Sequence, residues 1–358
     1  MPFNNRVILA CAGSGKTTAI IDDACSDSAH RSALITYTIN GASELTKIAC
    51  ERHRAVPAYT TIDTWYAFLL SHFIRPYQTQ LYKPRVSRLL FIRGQTARFA
   101  NAGNIDKHYF ASPGQIYLDK VSKFACEIIE QTGGQPVRRF EQIFDRLFID
   151  ESQDLAGYDL ELVERLMKSE TEVVLVGDYR QATYTTNDSS KNKKYARAAI
   201  VDKFKEWETA KLCTIEYQES SRRCVQEICD FADQLYPNAA KTQSKNLKRT
   251  GHDGVFAVER RHVGAYCARF EPQSLRYNRT FADAVGHPIN YGAAKGMTFD
   301  RTLIYPHGPF RKFLGSGKLA DAGKDISKLY VAVTRARQSV ALVVEDGASL
   351  FNLKVFVP

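Results

Sequence analysis

The segment that most constrains this chain is residues 7–21, VILACAGSGKTTAII. An apolar run typical of a buried strand leads into small residues and then into Lys-Thr at the start of a helix-compatible stretch. In such a loop the backbone N–H groups cradle phosphates, the lysine reaches the terminal phosphates and the next hydroxyl holds Mg²⁺. Ala10 stands at the usual first glycine position, and an ordinary glycine-rich turn is the alternative. The predicted binding residues for a nucleoside triphosphate are Ala12, Gly13, Ser14, Gly15, Lys16, Thr17 and Thr18.

A second segment, RLFIDESQD at residues 146–154, is an apolar strand that ends in acidic residues. Enzymes with a phosphate-binding loop place the carboxylate that holds Mg²⁺ at such a strand end, so Thr17 and Asp150 form the predicted metal site. Glu151 follows directly, where a carboxylate orients and polarises the attacking water. The alternative is a pair of solvated carboxylates at a strand end.

Further segments supply polar and cationic groups. An apolar strand at 172–177 precedes Gln181, and the sequence SSRRC at 220–224 places Arg222 and Arg223 at the start of an amphipathic stretch. Arg335 lies between two apolar runs near the end of the chain. A cation that meets the γ-phosphate as charge develops accelerates phosphoryl transfer by roughly a thousandfold or more, so these arginines are candidate fingers. For each arginine alone, a charge on a surface helix is the alternative.

Over nearly its whole length the chain resembles the superfamily 1 helicases of the UvrD, Rep and PcrA type. Eight segments follow the order of that family's motifs, and this order indicates more than any one of them. They are AGSGKTT (motif I), LITYTINGASEL (Ia), TIDTWYAF (Ib), FIDESQD (II), VGDYRQATY (III), SSRRCVQEI (IV), GAAKGMTFD (V) and YVAVTRA (VI).

The resemblance implies that ATP, with Mg²⁺, is bound between two RecA-like lobes. Arg223 and Arg335 then reach the phosphates held by Lys16, Gln181 senses the γ-phosphate, and Arg222 stacks against the adenine. It also implies a grip on single-stranded DNA, usually with 3′ to 5′ movement, to which aromatic faces and hydroxyls are suited. Core packing is the alternative for the aromatic residues. The predicted nucleic-acid contacts are Tyr37, Thr38, Thr61, Thr64, Trp65, Tyr184 and Lys295.

Composition agrees with a polyanionic partner, because the net charge is +10 and the pI is about 9.1. Basic clusters at 191–197, 241–249 and 259–262 are expected either to line a phosphate track or to be solvated loops. No apolar run is long enough to span a bilayer. The eight cysteines are scattered without the spacing of a metal site, which favours reduced thiols and a cytoplasmic location.

The expected fold class is α/β, with two RecA-like lobes whose parallel sheets are covered by helices, plus a small inserted subdomain. The first lobe is predicted at residues 1–70 and 128–195, and the insertion at 71–127 takes the place of the family's 1B domain. The second lobe is predicted at 196–358, without the family's 2B insertion. Because 2B contacts duplex in relatives, a protein partner is expected to supply duplex contacts.

The sequence therefore predicts an ATP-dependent translocase or helicase, stimulated by single-stranded DNA or a 3′-tailed duplex. One alternative is a DNA-sensing ATPase subunit that controls a partner nuclease, as in phage-defence systems of the Gabija type. A weaker alternative is a nucleotide hydrolase directed at RNA or at no nucleic acid. Stimulation and strand displacement together distinguish these hypotheses.

Overall fold

The structure is a computed structural model that describes residues 4–183, 189–280 and 283–358. Contacts divide the chain into two compact units. The first comprises Met1–Leu9 and Lys16–Tyr217, and the second comprises Ala10–Gly15 and Gln218–Pro358. Residues 196–217 thus belong to the first unit, whereas the sequence predicts that the second lobe begins at residue 196. The physical reason is core packing, because Phe204 and Trp207 are buried in the first unit's core.

The strands in chain order are β1 Arg6–Ala10, β2 Ser32–Thr36, β3 Thr60–Thr64, β4 Arg88–Leu90, β5 Phe110–Ser112, β6 Gln115–Tyr117, β7 Arg146–Ile149, β8 Glu172–Gly177, β9 Thr214–Gln218, β10 Ser220–Ser221, β11 Gln243–Ser244, β12 Gly254–Glu259, β13 Gln273–Arg276, β14 Ile289–Asn290, β15 Phe299–Tyr305, β16 Ala336–Val344 and β17 Lys354–Val355. The α-helices are α1 Lys16–Ser26, α2 Ile39–His53, α3 Trp65–Leu69, α4 Ile105–Tyr109, α5 Val121–Gln131, α6 Gln135–Ile143, α7 Tyr158–Met167, α8 Ile200–Thr209, α9 Gln226–Asp233, α10 Val263–Phe270, α11 Gly308–Ser316 and α12 Ile326–Val333.

The first unit is built on a six-stranded sheet in the order β3-β2-β7-β8-β1-β9. In this order, the five strands from β3 to β1 pair in parallel. Strands β2 and β7 are buried along their length, as are most of β1 and β8. Strands buried on both faces require near-continuous apolar runs, and the sequence supplies them as Val, Ile, Leu and Phe. Because the strands are parallel, their carboxyl ends lie along one edge of the sheet.

The second unit has its own six-stranded sheet, in the order β14-β13-β15-β16-β12-β17, with parallel pairing throughout the described register. Helices flank both sheets, so the predicted α/β fold class with two parallel-sheet lobes is confirmed. A separate three-stranded sheet, β4-β6-β5, falls within residues 71–127, where the insertion is predicted. Within the described ranges, no helix has the length and apolar character needed to cross a membrane.

Candidate active site

The sequence motifs of the first unit meet at the carboxyl edge of its sheet. Asp150 directly follows β7 and Asp178 directly follows β8, while Tyr37 and Trp65 directly follow β2 and β3. In the strand order, the elements predicted to contact nucleic acid lie on one side of β7, and those predicted to contact phosphate lie on the other. A backbone hydrogen bond from Asp150 N to Ile35 O (2.8 Å) joins the end of β7 to β2. Asp150, the predicted metal ligand, therefore lies between these two groups of elements.

The predicted magnesium ligands are in contact with each other. Thr17 Oγ1 donates a hydrogen bond to Asp150 Oδ2 at 3.1 Å, and the Asp150 side chain is buried. Burial, together with the neighbouring Glu151 carboxylate, raises the pKa of Asp150 to about 6, whereas the charge of Lys16 and the Thr17 hydroxyl act in the opposite direction. A buried carboxylate beside a hydroxyl is an oxygen donor set that suits Mg²⁺. The residues present therefore fit the implied ion.

Glu151 is held in an unusual backbone conformation next to this carboxylate. Its φ of 55° lies in the left-handed region, and its backbone N–H donates to Asp150 Oδ1 at 2.9 Å. The Glu151 side chain accepts a hydrogen bond from the Gln153 amide. These contacts fix the direction of the Glu151 carboxylate, which is what positioning a water nucleophile requires.

A chain of buried polar groups continues from Gln153 to the end of β8. Gln153 Oε1 accepts from Asp178 N at 3.0 Å, and Asp178 Oδ2 accepts from Gln181 Nε2 at 2.9 Å. The other Asp178 oxygen accepts from Arg180 Nε at 3.0 Å, in an ion pair that is almost fully buried. A side chain at Gly177 would overlap the Gln153 amide oxygen. The glycine thus permits the close approach on which this chain of hydrogen bonds depends.

The small residues of the phosphate loop pack within the second unit. Gly13 has φ 76°, and a Cβ there would lie 2.5 Å from Arg223 Cβ and 2.8 Å from Ser221 Oγ. Ser221 Oγ donates to Ala12 O at 2.8 Å, and Arg222 N donates to Gly13 O at 2.8 Å. Only glycine fits at residue 13, because both the space and the backbone angle exclude a side chain.

The other predicted nucleotide-binding groups border this loop or continue it. Ser14 N donates to Cys11 O at 3.2 Å, and the Arg222 guanidinium lies about 4 Å from where a Cβ on Gly15 would be. Arg222 is exposed, which leaves its planar face accessible. Lys16 and Thr18 are half-buried in the first turn of α1.

The two predicted arginine fingers differ in their surroundings within the second unit. Arg223 is half-buried, and its Nη1 donates to Thr334 O at 3.1 Å. Arg335 is 2% exposed, and its guanidinium donates to Val331 O at 3.1 Å and to Met297 O at 3.4 Å. Both side chains thus converge on the end of α12 and the start of β16. Arg335 thus makes structural contacts within the second unit, apart from any role with phosphate.

The predicted base-stacking residues are not equally accessible. Trp65 is fully buried, and its indole Nε1 donates to Asp159 Oδ1 at 2.9 Å. In this structure the Trp65 ring has no exposed face for a base, which favours the core-packing alternative for this residue. Tyr37 is half-buried and donates its hydroxyl to Asp159 Oδ2 at 3.0 Å, so part of its ring stays accessible. Tyr184 lies outside the described residues.

The remaining predicted nucleic-acid residues are exposed or half-buried. Thr38 is exposed and caps α2, with its Oγ1 accepting from Gly41 N at 2.9 Å. Thr61 is exposed on β3, Thr64 is half-buried before α3, and Lys295 is half-buried in the second unit. Of these residues, Thr64 carries no side-chain cap hydrogen bond to its helix, so its hydroxyl is not used for capping.

Several polar residues of the site are absent from the sequence prediction. Gln153 lies inside the FIDESQD motif, and its place two residues after Glu151 was the available signal. Ser221 and Tyr330 contact the phosphate loop, the latter through a 3.5 Å hydrogen bond from Ala12 N to the Tyr330 hydroxyl. Asp159 accepts hydrogen bonds from Tyr37, Trp65 and Ser122, which are distant in sequence, and no local pattern indicates this.

A family model described as an AAA domain matches residues 2–187, and one described as a viral superfamily 1 RNA helicase core domain matches residues 126–344. A search of curated proteins found no significant match.

Among solved structures, the PRRSV helicase is 16% identical, with a TM-score of 0.47, over 95% of this chain and 52% of that one. The helicase nonstructural protein 10 of an arterivirus is 13% identical, with a TM-score of 0.45, over 95% of this chain and 59% of its own. The same arterivirus protein in complex with DNA is 14% identical, with a TM-score of 0.48, over 96% of this chain and 61% of its own. The chain thus spans between 52% and 61% of the length of these structures.

Each of the two family models covers more than half of the chain, and together they span the phosphate loop, the Asp150 strand end and the Arg335 segment. The chain belongs to the superfamily 1 helicases.

Proposed function

We propose that this chain is an ATPase of the UvrD, Rep and PcrA type that is stimulated by single-stranded DNA and moves along it from 3′ to 5′. The observation that carries the proposal is the connected set of Thr17, Asp150, Glu151 and Gln181, linked through Gln153 and Asp178. This set combines a metal site, a water-positioning carboxylate and a phosphate-facing amide. Hydrolysis of a nucleoside triphosphate needs those three functions in one place.

Thr17 and Asp150 would hold Mg²⁺, which when bound neutralises charge on the β- and γ-phosphates. Lys16 and the loop N–H groups bind the phosphate oxygens. Glu151 orients a water in line with the bond that breaks and accepts its proton. The hydrogen bond from Gln153 keeps the Glu151 carboxylate from rotating away. In-line attack therefore depends on groups that the first unit fixes before the substrate arrives.

Gln181 contacts the γ-phosphate in this proposal. Its hydrogen bond to Asp178 links that contact to the end of β8. Arg223 and Arg335 stabilise the negative charge of the transition state. Arg222, exposed beside Gly15, stacks against the base of the nucleotide. ATP is the substrate we propose, and the accessible face of Arg222 accepts other purines as well.

The nucleic-acid track includes Tyr37, Thr38, Thr61 and Thr64 along the carboxyl ends of β2 and β3, and Lys295 in the second unit. Hydroxyls at strand ends suit phosphate oxygens, and a partly accessible tyrosine ring suits a base of any identity. Because β2 is hydrogen-bonded to β7, a change at Asp150 is transmitted to Tyr37 and Thr38 through one neighbouring strand.

The test is the steady-state ATPase rate alone, with a deoxythymidine oligonucleotide and with a uridine oligonucleotide. We expect stimulation by the DNA oligonucleotide. Equal or stronger stimulation by the RNA oligonucleotide would assign the chain to RNA, in line with the description of the matching viral family model. Lys16→Ala and Glu151→Gln are expected to lower the rate at least about a hundredfold. Wild-type rates in either variant would refute the assigned roles.

Lys205→Ala is the matched control, since Lys205 is an exposed lysine on α8 and lies outside the motif segments. Strand displacement on a 3′-tailed duplex then separates a motor from a sensor. Stimulation with displacement supports the translocase. Stimulation without displacement supports a DNA-sensing subunit that controls a partner nuclease, and a rate unaffected by either oligonucleotide removes nucleic acid from the function.

A further inference from the structure

Residues 83–99, KPRVSRLLFIRGQTARF, form a segment that we call the arginine arm. It contains β4 at the edge of the small three-stranded sheet and matches none of the helicase motifs. Phe99 is fully exposed, Phe91 is 74% exposed, and Ile92 is about half exposed. Large apolar side chains that face solvent together indicate a surface that contacts another molecule.

The arm is ordered by contacts at both ends, so the exposure of its phenylalanines is a property of the fold. Val86 is buried, its N–H donates to Gln78 Oε1 at 3.0 Å, and its carbonyl accepts from Arg75 Nε at 2.9 Å. At the other end, Thr96 Oγ1 donates to Asp119 Oδ1 at 2.6 Å. These anchors hold the backbone on either side of Phe91 and leave its ring directed outward.

Charge distinguishes the arm from other basic stretches. It carries Lys83 and four arginines, all exposed, and its sequence has no acidic residue. Among the described residues, no carboxylate forms an ion pair with these five cations. In each of the basic clusters noted in the sequence, by contrast, at least one cation is paired: Lys191 with Glu161, Arg249 with Glu227 and Arg261 with Glu259. The arm thus keeps its positive charge available for a partner.

We propose that the arginine arm is a binding surface for single-stranded nucleic acid, separate from the motif residues at the sheet edge. The inference rests on the proposed function, because it gives the same substrate a second binding surface. Arg88 and Arg93 bind backbone phosphates, and the rings of Phe91 and Phe99 stack on bases without regard to sequence. Guanidinium groups and aromatic rings on one segment suit the phosphates and the bases of a single strand.

The first experiment measures the affinity of the full chain for a fluorescein-labelled deoxythymidine oligonucleotide by anisotropy. Phe91→Ala and Phe99→Ala are each expected to weaken binding about fivefold, and the double variant about twenty-fivefold. Val357→Ala, which truncates another well-exposed apolar residue, is the matched control and is expected to bind as wild type. Basal ATPase activity without oligonucleotide is expected to stay unchanged in all of these variants.

The second experiment measures the salt dependence of binding in Arg88→Ala and Arg93→Ala. The slope of log affinity against log salt is expected to become shallower by about 0.7 for each phosphate that the variant no longer neutralises. Lys205→Ala is the control for removal of an exposed cation elsewhere. Wild-type affinity in the phenylalanine double variant, or an unchanged slope in both arginine variants, overturns the proposal.

Two further outcomes distinguish the arm from other partners and from failure of the proposed function. Loss of binding to phosphatidylglycerol vesicles in the arm variants, with oligonucleotide affinity intact, would assign the surface to anionic membranes and overturn our proposal. If wild-type chain binds no oligonucleotide, the proposed function fails together with the arm. If an oligonucleotide stimulates the wild-type ATPase, and the arm variants are stimulated at the same oligonucleotide concentration as wild type, the proposal for the arm is refuted while the proposed function stands.

Discussion

Asp159 offers the sharpest test of how the first unit is held together. Its carboxylate is 1% exposed and accepts hydrogen bonds on both oxygens. Oδ1 accepts from Trp65 Nε1 at 2.9 Å and from the Ser122 hydroxyl, while Oδ2 accepts from the Tyr37 hydroxyl at 3.0 Å and from Ala156 N at 3.4 Å. One side chain therefore joins the segments after β2, β3 and β7 to α5.

Asp159→Ala leaves the buried Trp65 N–H and two hydroxyls without this acceptor. Each unsatisfied buried donor costs about 1 to 3 kcal/mol, so we expect a loss of about 3 to 5 kcal/mol in the free energy of unfolding. Asp159→Asn is expected to cost less, about 1 to 2 kcal/mol. The Trp65 N–H can only donate, so the amide oxygen of the Asn variant must face Trp65 and its amide nitrogen must face Tyr37, whose hydroxyl can turn to accept. The long hydrogen bond from Ala156 N is then lost, because that N–H would face another donor.

The assay is urea denaturation followed by tryptophan fluorescence. Trp65 and Trp207 are the two tryptophans of the chain, and both are buried in the core of the first unit, so their emission reports on that unit. Tyr37→Phe, which removes one donor and leaves the carboxylate paired, is the control and is expected to cost about 1 kcal/mol. Equal losses for the Ala and Asn variants, or a loss below about 0.5 kcal/mol for Asp159→Ala, would refute the reasoning.

Local geometry leads to three further predictions. ATPase activity is expected to fall as the pH drops through about 6, because burial raises the pKa of Asp150 to about 6 and a protonated acid does not hold Mg²⁺. In steady-state assays, added Mg²⁺ should move the midpoint of this fall to lower pH. A midpoint that does not depend on Mg²⁺ would contradict the prediction. Gly13→Ala is expected to lower the melting temperature and abolish nucleotide binding, whereas Gly264→Ala, with no atom within 4 Å of the added methyl, is expected to leave both intact. Burial lowers the pKa of His252, stacked between Phe256 and Phe270, to about 4. Its neutral form favours folding above the ordinary value of 6.5, and this contribution is lost as the pH falls toward 4, so denaturation curves of His252→Phe should show a weaker acid dependence than wild type.

The features that a sequence reveals best are those written in contiguous residues. The Lys16-Thr17 pair and the Asp150 strand end were predicted from short motifs, and the structure brings Thr17 and Asp150 into contact. This proximity has a physical cause, because strand, loop and helix start are adjacent in the chain and parallel strands bring their carboxyl ends together. The roles assigned to these residues remain predictions.

Contacts between distant residues were not visible in the same way. The burial of Trp65 depends on Asp159, which lies 94 positions later, and an aromatic residue after a strand is equally compatible with stacking and with packing. The contact between Ala12 and Ser221 spans 209 positions and has no local signature. Likewise, α8 belongs to the first unit because Phe204 and Trp207 fit its core, and an amphipathic pattern does not say which core it covers.

The grouping of Ala10–Gly15 with the second unit bears on how the polypeptide can be divided. Ala12 is a member of that unit's apolar core, and Gly13 abuts Arg223. A recombinant fragment starting at Gln218 would carry a vacant groove where six residues from the opposite end of the polypeptide belong, and it is expected to express poorly or aggregate. Supplying those residues by circular permutation, or as a fused leader, is the rational route to an isolated second half.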